Sequence, residues 1–149
     1  TSVVLDFGGQ LVVRGAAGGG RTIAVAHPER RDEPVARLRL AGLSVATTGT
    51  SERHVETAAG RVGHVLDPRT GRPVPAWGSV TIVAADPLVA DILSNALFVM
   101  GPAEALRWSR DRHDVGVLIL ELDSTGALKI LTNPALAHLA RLSLPKESE

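Results

Sequence analysis

Three polar side chains share one face of an otherwise apolar segment. Asp91, Ser94 and Asn95 stand at i, i+3 and i+4 within D-P-L-V-A-D-I-L-S-N-A-L-F-V-M-G, residues 86–101. In a helix that spacing sets them side by side. A carboxylate and an amide oxygen on one helical face are hard donors of the kind Mg²⁺ takes, with waters and substrate phosphates completing the shell. The same residues also fit a solvated polar stripe, or a carboxylate favoured by a helix dipole. The surrounding segment reads as apolar all round, and polar groups buried in such a helix need partners.

Two other groups carry potential chemistry. His64 closes an apolar run three residues before Asp67, in H-V-L-D-P-R-T-G over 64–71. A lone histidine there reads as a structural or surface residue. Gly8-Gly9 lies between two β-rich runs, and Thr47-Thr48-Gly49-Thr50-Ser51 clusters hydroxyls around a glycine. Turn geometry with positive φ and local backbone capping explain both. Close approach of backbone and hydroxyls to a ligand phosphate is the sharper alternative. The remaining histidines, His27, His54, His113 and His138, show neither H-x-x-x-H nor H-E-x-x-H spacing, which argues against a histidine zinc site. No G-x-S-x-G elbow, P-loop or G-x-G-x-x-G fingerprint is present.

The elements that must position these residues read as follows. Runs at 1–5 and 11–13 form a hairpin over Gly8-Gly9, and a glycine-rich loop spans 15–20. Strands are expected at 21–27, 36–41 and 43–47. Residues 53–57 and 61–66 pair over 58–60, and Asp67-Pro68 opens a type I turn. Residues 79–85 are continuously apolar and read as a buried strand. Asp86-Pro87 caps and starts a helix that Gly101 stops. A second helix runs from Gly101-Pro102 to about Arg110. Residues 115–122 and 127–131 pair over 123–126, and an amphipathic helix spans 134–142. Roughly eight to ten strands and three helices result, with hairpins dominant and helices gathered late. The expected class is therefore α+β with antiparallel sheet, in a single domain over 1–149.

Composition narrows the function classes. The chain of 149 residues is 44% hydrophobic with formal net charge zero, so no basic field points to nucleic acid. Aromatics make up only 3%, which removes stacking platforms for single strands. No apolar run is long enough to span a bilayer. Cysteine is absent, excluding disulfides, thiolate chemistry and cysteine metal sites. The chain opens at Thr1 rather than Met, so a leader or upstream domain would be invisible here.

Taken together, these motifs resemble the flavin transferases of ApbE type, the FAD:protein FMN transferases. H-V-L-D-P-R-T-G at 64–71 is similar to that family's H-I-x-D-P-x-T-G. Ser79-Val80-Thr81-Val83, Ala90-Asp91 and residues 96–101 (A-L-F-V-M-G) follow its later blocks, including A-D-A-L-x-T-A-L-F-V-L-G. Gly8-Gly9 falls where the family has G-G-D or G-G-N, and Thr48-Gly49 where it has S-G-D. The resemblance implies Mg²⁺-dependent cleavage of FAD, with FMN passed through its phosphate to a Thr or Ser of an acceptor flavoprotein. It implies Asp91 as a metal ligand, with Asn95 at the position of the family's metal-binding Thr. It implies His64 as base or phosphate contact, and Gly8, Gly9, Thr48, Gly49 and His64 as the FAD-binding set. Gln10 and Thr50 replace the family's acidic residues. The resemblance covers about the C-terminal half of such an enzyme, without the G-x-A-K-G segment. A catalytically degenerate flavin- or nucleotide-binding or structural module is the alternative reading. The family suggests the bacterial cell envelope or periplasm, with the cytoplasm and a homo-oligomer both open.

Overall fold

The computed structural model describes residues 3–15, 19–49, 54–57 and 60–144. The expectations on residues 1–2, 16–18, 50–53, 58–59 and the tail after 144 lie outside them. The first strands, β1 (Val3–Asp6) and β2 (Gln10–Arg14), form the expected hairpin with Val4 opposite Val13. Gly8 and Gly9 turn it at φ 74° and 106°, a region that L side chains avoid. After β3 (Arg21–Ala26) and β4 (Pro34–Leu40) comes β5 (Ser44–Gly49), followed by the hairpin β6 (His54–Thr57) and β7 (Gly60–Gly63). Two short strands, β8 (Leu66–Asp67) and β9 (Arg72–Pro73), flank the Asp67-Pro68 turn, and β10 (Gly78–Ala84) follows. The chain closes with α1 (Pro87–Met100), α2 (Pro102–Ser109), β11 (Val115–Leu122), β12 (Leu128–Thr132), α3 (Pro134–Leu139) and β13 (Arg141–Ser143).

Every strand pairing among the described residues is antiparallel, as the hairpin-rich sequence predicts. The main sheet runs β1-β2-β5-β10-β11-β12, and a smaller one runs β13-β4-β3. All seven residues of β10 are buried, because the sheet is covered on both faces. Ile82 and Val80 pack with Leu97 and Phe98 of α1 and Ala105 of α2. Val83, Val45, Leu118 and Leu120 face the other way, onto Leu38 and Leu40 of β4 and Leu136 of α3. Alternation along one strand thus feeds two cores. Trp77 stacks on Phe98 with ring centroids 4.8 Å apart and donates its indole N–H to the Phe98 carbonyl.

The α1 helix begins and ends where its sequence signals require. The Asp86 carboxylate accepts from the Leu88 amide at 2.8 Å, Pro87 opens the first turn, and Gly101 ends it at φ 81°. We expect Asp86→Ala to cost about 1 kcal/mol, read as a fall of a few degrees in Tm.

Three expectations need correction. The α1 helix is not buried all round: Leu88 and Ile92, one turn apart, are 62% and 55% exposed. The last helix stops at Leu139 rather than 142. Ala140 is extended, and Leu142 instead pairs with Leu38 as part of β13, so sheet pairing overrides the helical period there. The described residues hold thirteen strands, more than the eight to ten expected, because two-residue strands such as β8 and β9 leave no propensity signal.

Candidate functional site

The site forms where β5 and α1 meet the turn of the N-terminal hairpin and the segment between β7 and β8 that carries His64. β2 pairs with one edge of β5 and β10 with the other, which brings Gly8-Gly9 beside Thr48-Gly49. The backbone amide of Thr47 donates to the Gly9 carbonyl at 3.1 Å and locks the two segments together. The α1 helix lies across β5 and β10 and presents Asp91 and Asn95 to the same place. His64 enters from the end of β7. One cavity of about 270 Å³ is lined by Gly8, Gly9, Thr48, Gly49, His64, Asp91 and Asn95, together with Phe7, Gln10 and Thr47.

Gly8, Gly9, Thr48, Gly49, His64, Asp91 and Asn95 therefore converge, although 87 positions separate the first from the last. Gln10 is a residue whose job the sequence did not disclose. Its side-chain amide donates to the Pro87 carbonyl at 2.5 Å, tying β2 to the start of α1 across 77 positions. Thr47 was legible only as part of a hydroxyl cluster. It faces the sheet's other side, where its hydroxyl meets that of Thr81 at 2.9 Å. Thr50 lies outside the described residues.

The polar groups of α1 are not equivalent. Asp91 and Asn95 are exposed, whereas Ser94 is 1% exposed and reaches Thr48 of β5, hydroxyl to hydroxyl, at 2.7 Å. The Asn95 side-chain amide donates to the Asp91 carbonyl at 3.0 Å, so its oxygen is the atom left for a ligand. Among the described residues, no hydrogen bond or ion pair engages the Asp91 carboxylate. No group of three or more His, Cys, Asp or Glu assembles among the described residues. The oxygen-bearing side chains that line the cavity include one carboxylate, one amide and a threonine hydroxyl. That set fits Mg²⁺, which binds few protein oxygens and keeps its waters, and does not fit zinc.

A second, larger groove of about 620 Å³ adjoins this one and shares His64 and Asn95 with it. Apart from Arg69, its other walls are apolar, with Val65, Leu66 and Pro68 contributed by one segment and Ala96, Val99 and Met100 by α1. The site thus has a polar end and an apolar end with His64 between them.

The loop that carries His64 toward α1 is clamped by its own charges. Asp67 accepts the Arg69 guanidinium at 2.9 Å, and its backbone carbonyl accepts the Gly71 amide at 2.7 Å. The hydrogen bond from the Arg69 side chain, then that from the Arg69 backbone, holds the Asp67 carboxyl below the usual carboxylate range. A depressed carboxylate contributes stability above its unfolded pKa and loses it as pH falls through the folded value. The loop should therefore keep its order from neutrality down to about pH 4 and loosen below that. Amide hydrogen exchange at Thr70 and Gly71 against pH checks this. A loosening between pH 5 and 7 would point to a different group.

Comparison with known proteins decides the family. The model of the ApbE family matches residues 1–119. The chain belongs to the ApbE family. A FAD:protein FMN transferase of Klebsiella pneumoniae is 34% identical over 113 residues, 73% of this chain and 32% of that protein. That of Escherichia coli K12 is also 34% identical, over 68% of this chain and 30% of its own length. The crystal structure of the ApbE protein of Thermotoga maritima superposes with a TM-score of 0.79 at 29% identity, covering 94% of this chain and 45% of that one. The apo flavinyl transferase ApbE of Pseudomonas stutzeri gives 0.72 at 26% identity, covering 93% and 43%. This ApbE-family chain thus spans about a third of those curated relatives and less than half of those solved ones. No helix among its described residues is long and apolar enough to cross a membrane.

Proposed function

We propose that this chain supplies the cation-and-phosphate end of a flavin transferase site that moves FMN from FAD to a Ser or Thr hydroxyl of an acceptor protein. The observation that carries the reading is the convergence of Gly8, Gly9, Thr48, Gly49, His64, Asp91 and Asn95 on one cavity, in a chain whose curated relatives are FAD:protein FMN transferases.

Asp91 and Asn95 are the residues that would hold Mg²⁺. Bound there, the ion would neutralise the pyrophosphate and stabilise the charge that develops on its oxygens. The Gly8-Gly9 turn carries no Cβ, which lets the backbone come close to phosphate oxygens, and a Cβ added at Gly8 would meet open space. The adjoining apolar groove suits the ring end of a flavin better than its phosphates. His64, on the border between the two, takes the proton of the acceptor hydroxyl. The acceptor oxygen forms a bond to the FMN-side phosphorus as the bridge bond to the AMP-side phosphorus's oxygen breaks, and AMP leaves with that oxygen.

The test is incubation of protein carrying this chain with FAD, an acceptor peptide bearing Ser or Thr, and Mg²⁺. AMP release in step with FMN on the peptide, abolished by EDTA, is the expected result. FAD binding without cleavage, unaffected by EDTA, would instead support a flavin-binding module without transferase activity.

A further inference from the structure

Ser94 reaches the site through a hydrogen-bond chain whose direction the structure constrains. Its hydroxyl lies 2.7 Å from that of Thr48 and 2.9 Å from the Asp91 carbonyl oxygen, which can only accept. A hydroxyl has one proton to give. With the Ser94 proton on the Asp91 carbonyl, the Thr48 proton goes to Ser94, and each proton in the chain has an acceptor. In the reverse order, Ser94 would give its one proton to Thr48 and face the Asp91 carbonyl oxygen at 2.9 Å with no proton between the two oxygens. Two acceptors held in contact without a proton are the costlier state. Thr48 therefore turns lone pairs, and no proton, toward the cavity that it lines.

We propose that Ser94 is a positioning residue that makes Thr48 an oxygen ligand for a divalent cation. Thr48 Oγ1, Asn95 Oδ1 and the Asp91 carboxylate then form the protein's share of one cation shell. A wall of acceptors repels a bare phosphate oxygen, so phosphate reaches Thr48 only through the cation or through water. This inference rests on the cation reading of the site and adds to it the residue that orients one ligand.

Mn²⁺ alone, followed by the electron paramagnetic resonance signal of the free ion, tests the inference without turnover. Ser94→Ala should weaken Mn²⁺ binding about 10- to 100-fold, the usual effect of losing a residue that orients a metal ligand. Thr48→Val, nearly isosteric, should weaken it at least as much, and Thr48→Ser should restore affinity to within a few-fold of the starting protein. The double variant Thr48→Val with Ser94→Ala should bind no worse than Thr48→Val alone, since both remove one chain. A merely structural Ser94 would shift Tm and leave Mn²⁺ affinity within two-fold, which overturns the proposal while Asp91→Ala still abolishes binding. If Asp91→Ala binds Mn²⁺ as tightly as the unaltered protein, the cation reading itself falls.

Discussion

Asp91→Ala should lower FMN transfer by about a thousand-fold or more at saturating Mg²⁺, with the fold unchanged. The expected loss follows from removing the one anionic ligand in the donor set, where a bound cation supplies several kcal/mol of transition-state charge stabilisation and each 1.36 kcal/mol is tenfold in rate. The fold should persist because Asp91 is exposed and its carboxylate holds no ion pair or hydrogen bond among the described residues; exposed substitutions of this kind usually stay within about 0.5 kcal/mol. Asp91→Asn keeps an oxygen and loses the charge, so its rate should fall between the two. Initial rates of AMP release, with Tm recorded for each variant, check the order. A variant that transfers at the original rate would remove Asp91 from the chemistry.

Asn133→Ala should produce a large loss of stability, comparable to emptying a core position. This residue is 2% exposed, and its side chain makes four hydrogen bonds at once. The amide oxygen accepts from Val117 at 2.8 Å and from Leu136 at 3.2 Å, capping α3. The amide nitrogen donates to the carbonyls of Val115 at 2.8 Å and Ser109 at 3.1 Å. One side chain thus joins the end of α2, the start of β11 and the first turn of α3. Alanine leaves several buried backbone groups unpaired, at about 1–3 kcal/mol for each one that water does not reach, so a total of about 3–5 kcal/mol is expected. Denaturant unfolding gives the value. A loss under 1 kcal/mol would show that water replaces the amide freely. Because β11 backs β10, which in turn pairs with β5, loosening here should also reach Thr48.

Much of this arrangement was legible in the residues, for identifiable reasons. Asp86-Pro87 and Gly101 mark both ends of α1 with local chemistry, and β10 announces itself by a β-rich, largely apolar run between a tryptophan-glycine pair and that cap. Spacing on α1 placed Asp91, Ser94 and Asn95 on one face but could not divide that face. At about 100° per residue, Ser94 falls on one flank of Asp91 and Asn95 on the other, and the helix packs so that the Ser94 flank meets β5. The bond from Gln10 to Pro87 is equally invisible in the sequence, since it needs β2 to pair with β5 and α1 to lie across both. The end of α3 was misread because Leu136, Leu139 and Leu142 keep a helical spacing, while Leu142 is claimed by β4.

On the proposed function, one cavity holds both a divalent cation and the phosphates of FAD. Crystals of the protein grown with FAD and Mn²⁺, measured for anomalous scattering, put this to the test. A single strong peak is expected, bounded by the Asp91 carboxylate, Asn95 Oδ1 and Thr48 Oγ1, with pyrophosphate density on its open side toward Gly8, Gly9 and His64. A bound FAD whose pyrophosphate lies elsewhere, or a Mn²⁺ peak away from Asp91, would contradict it.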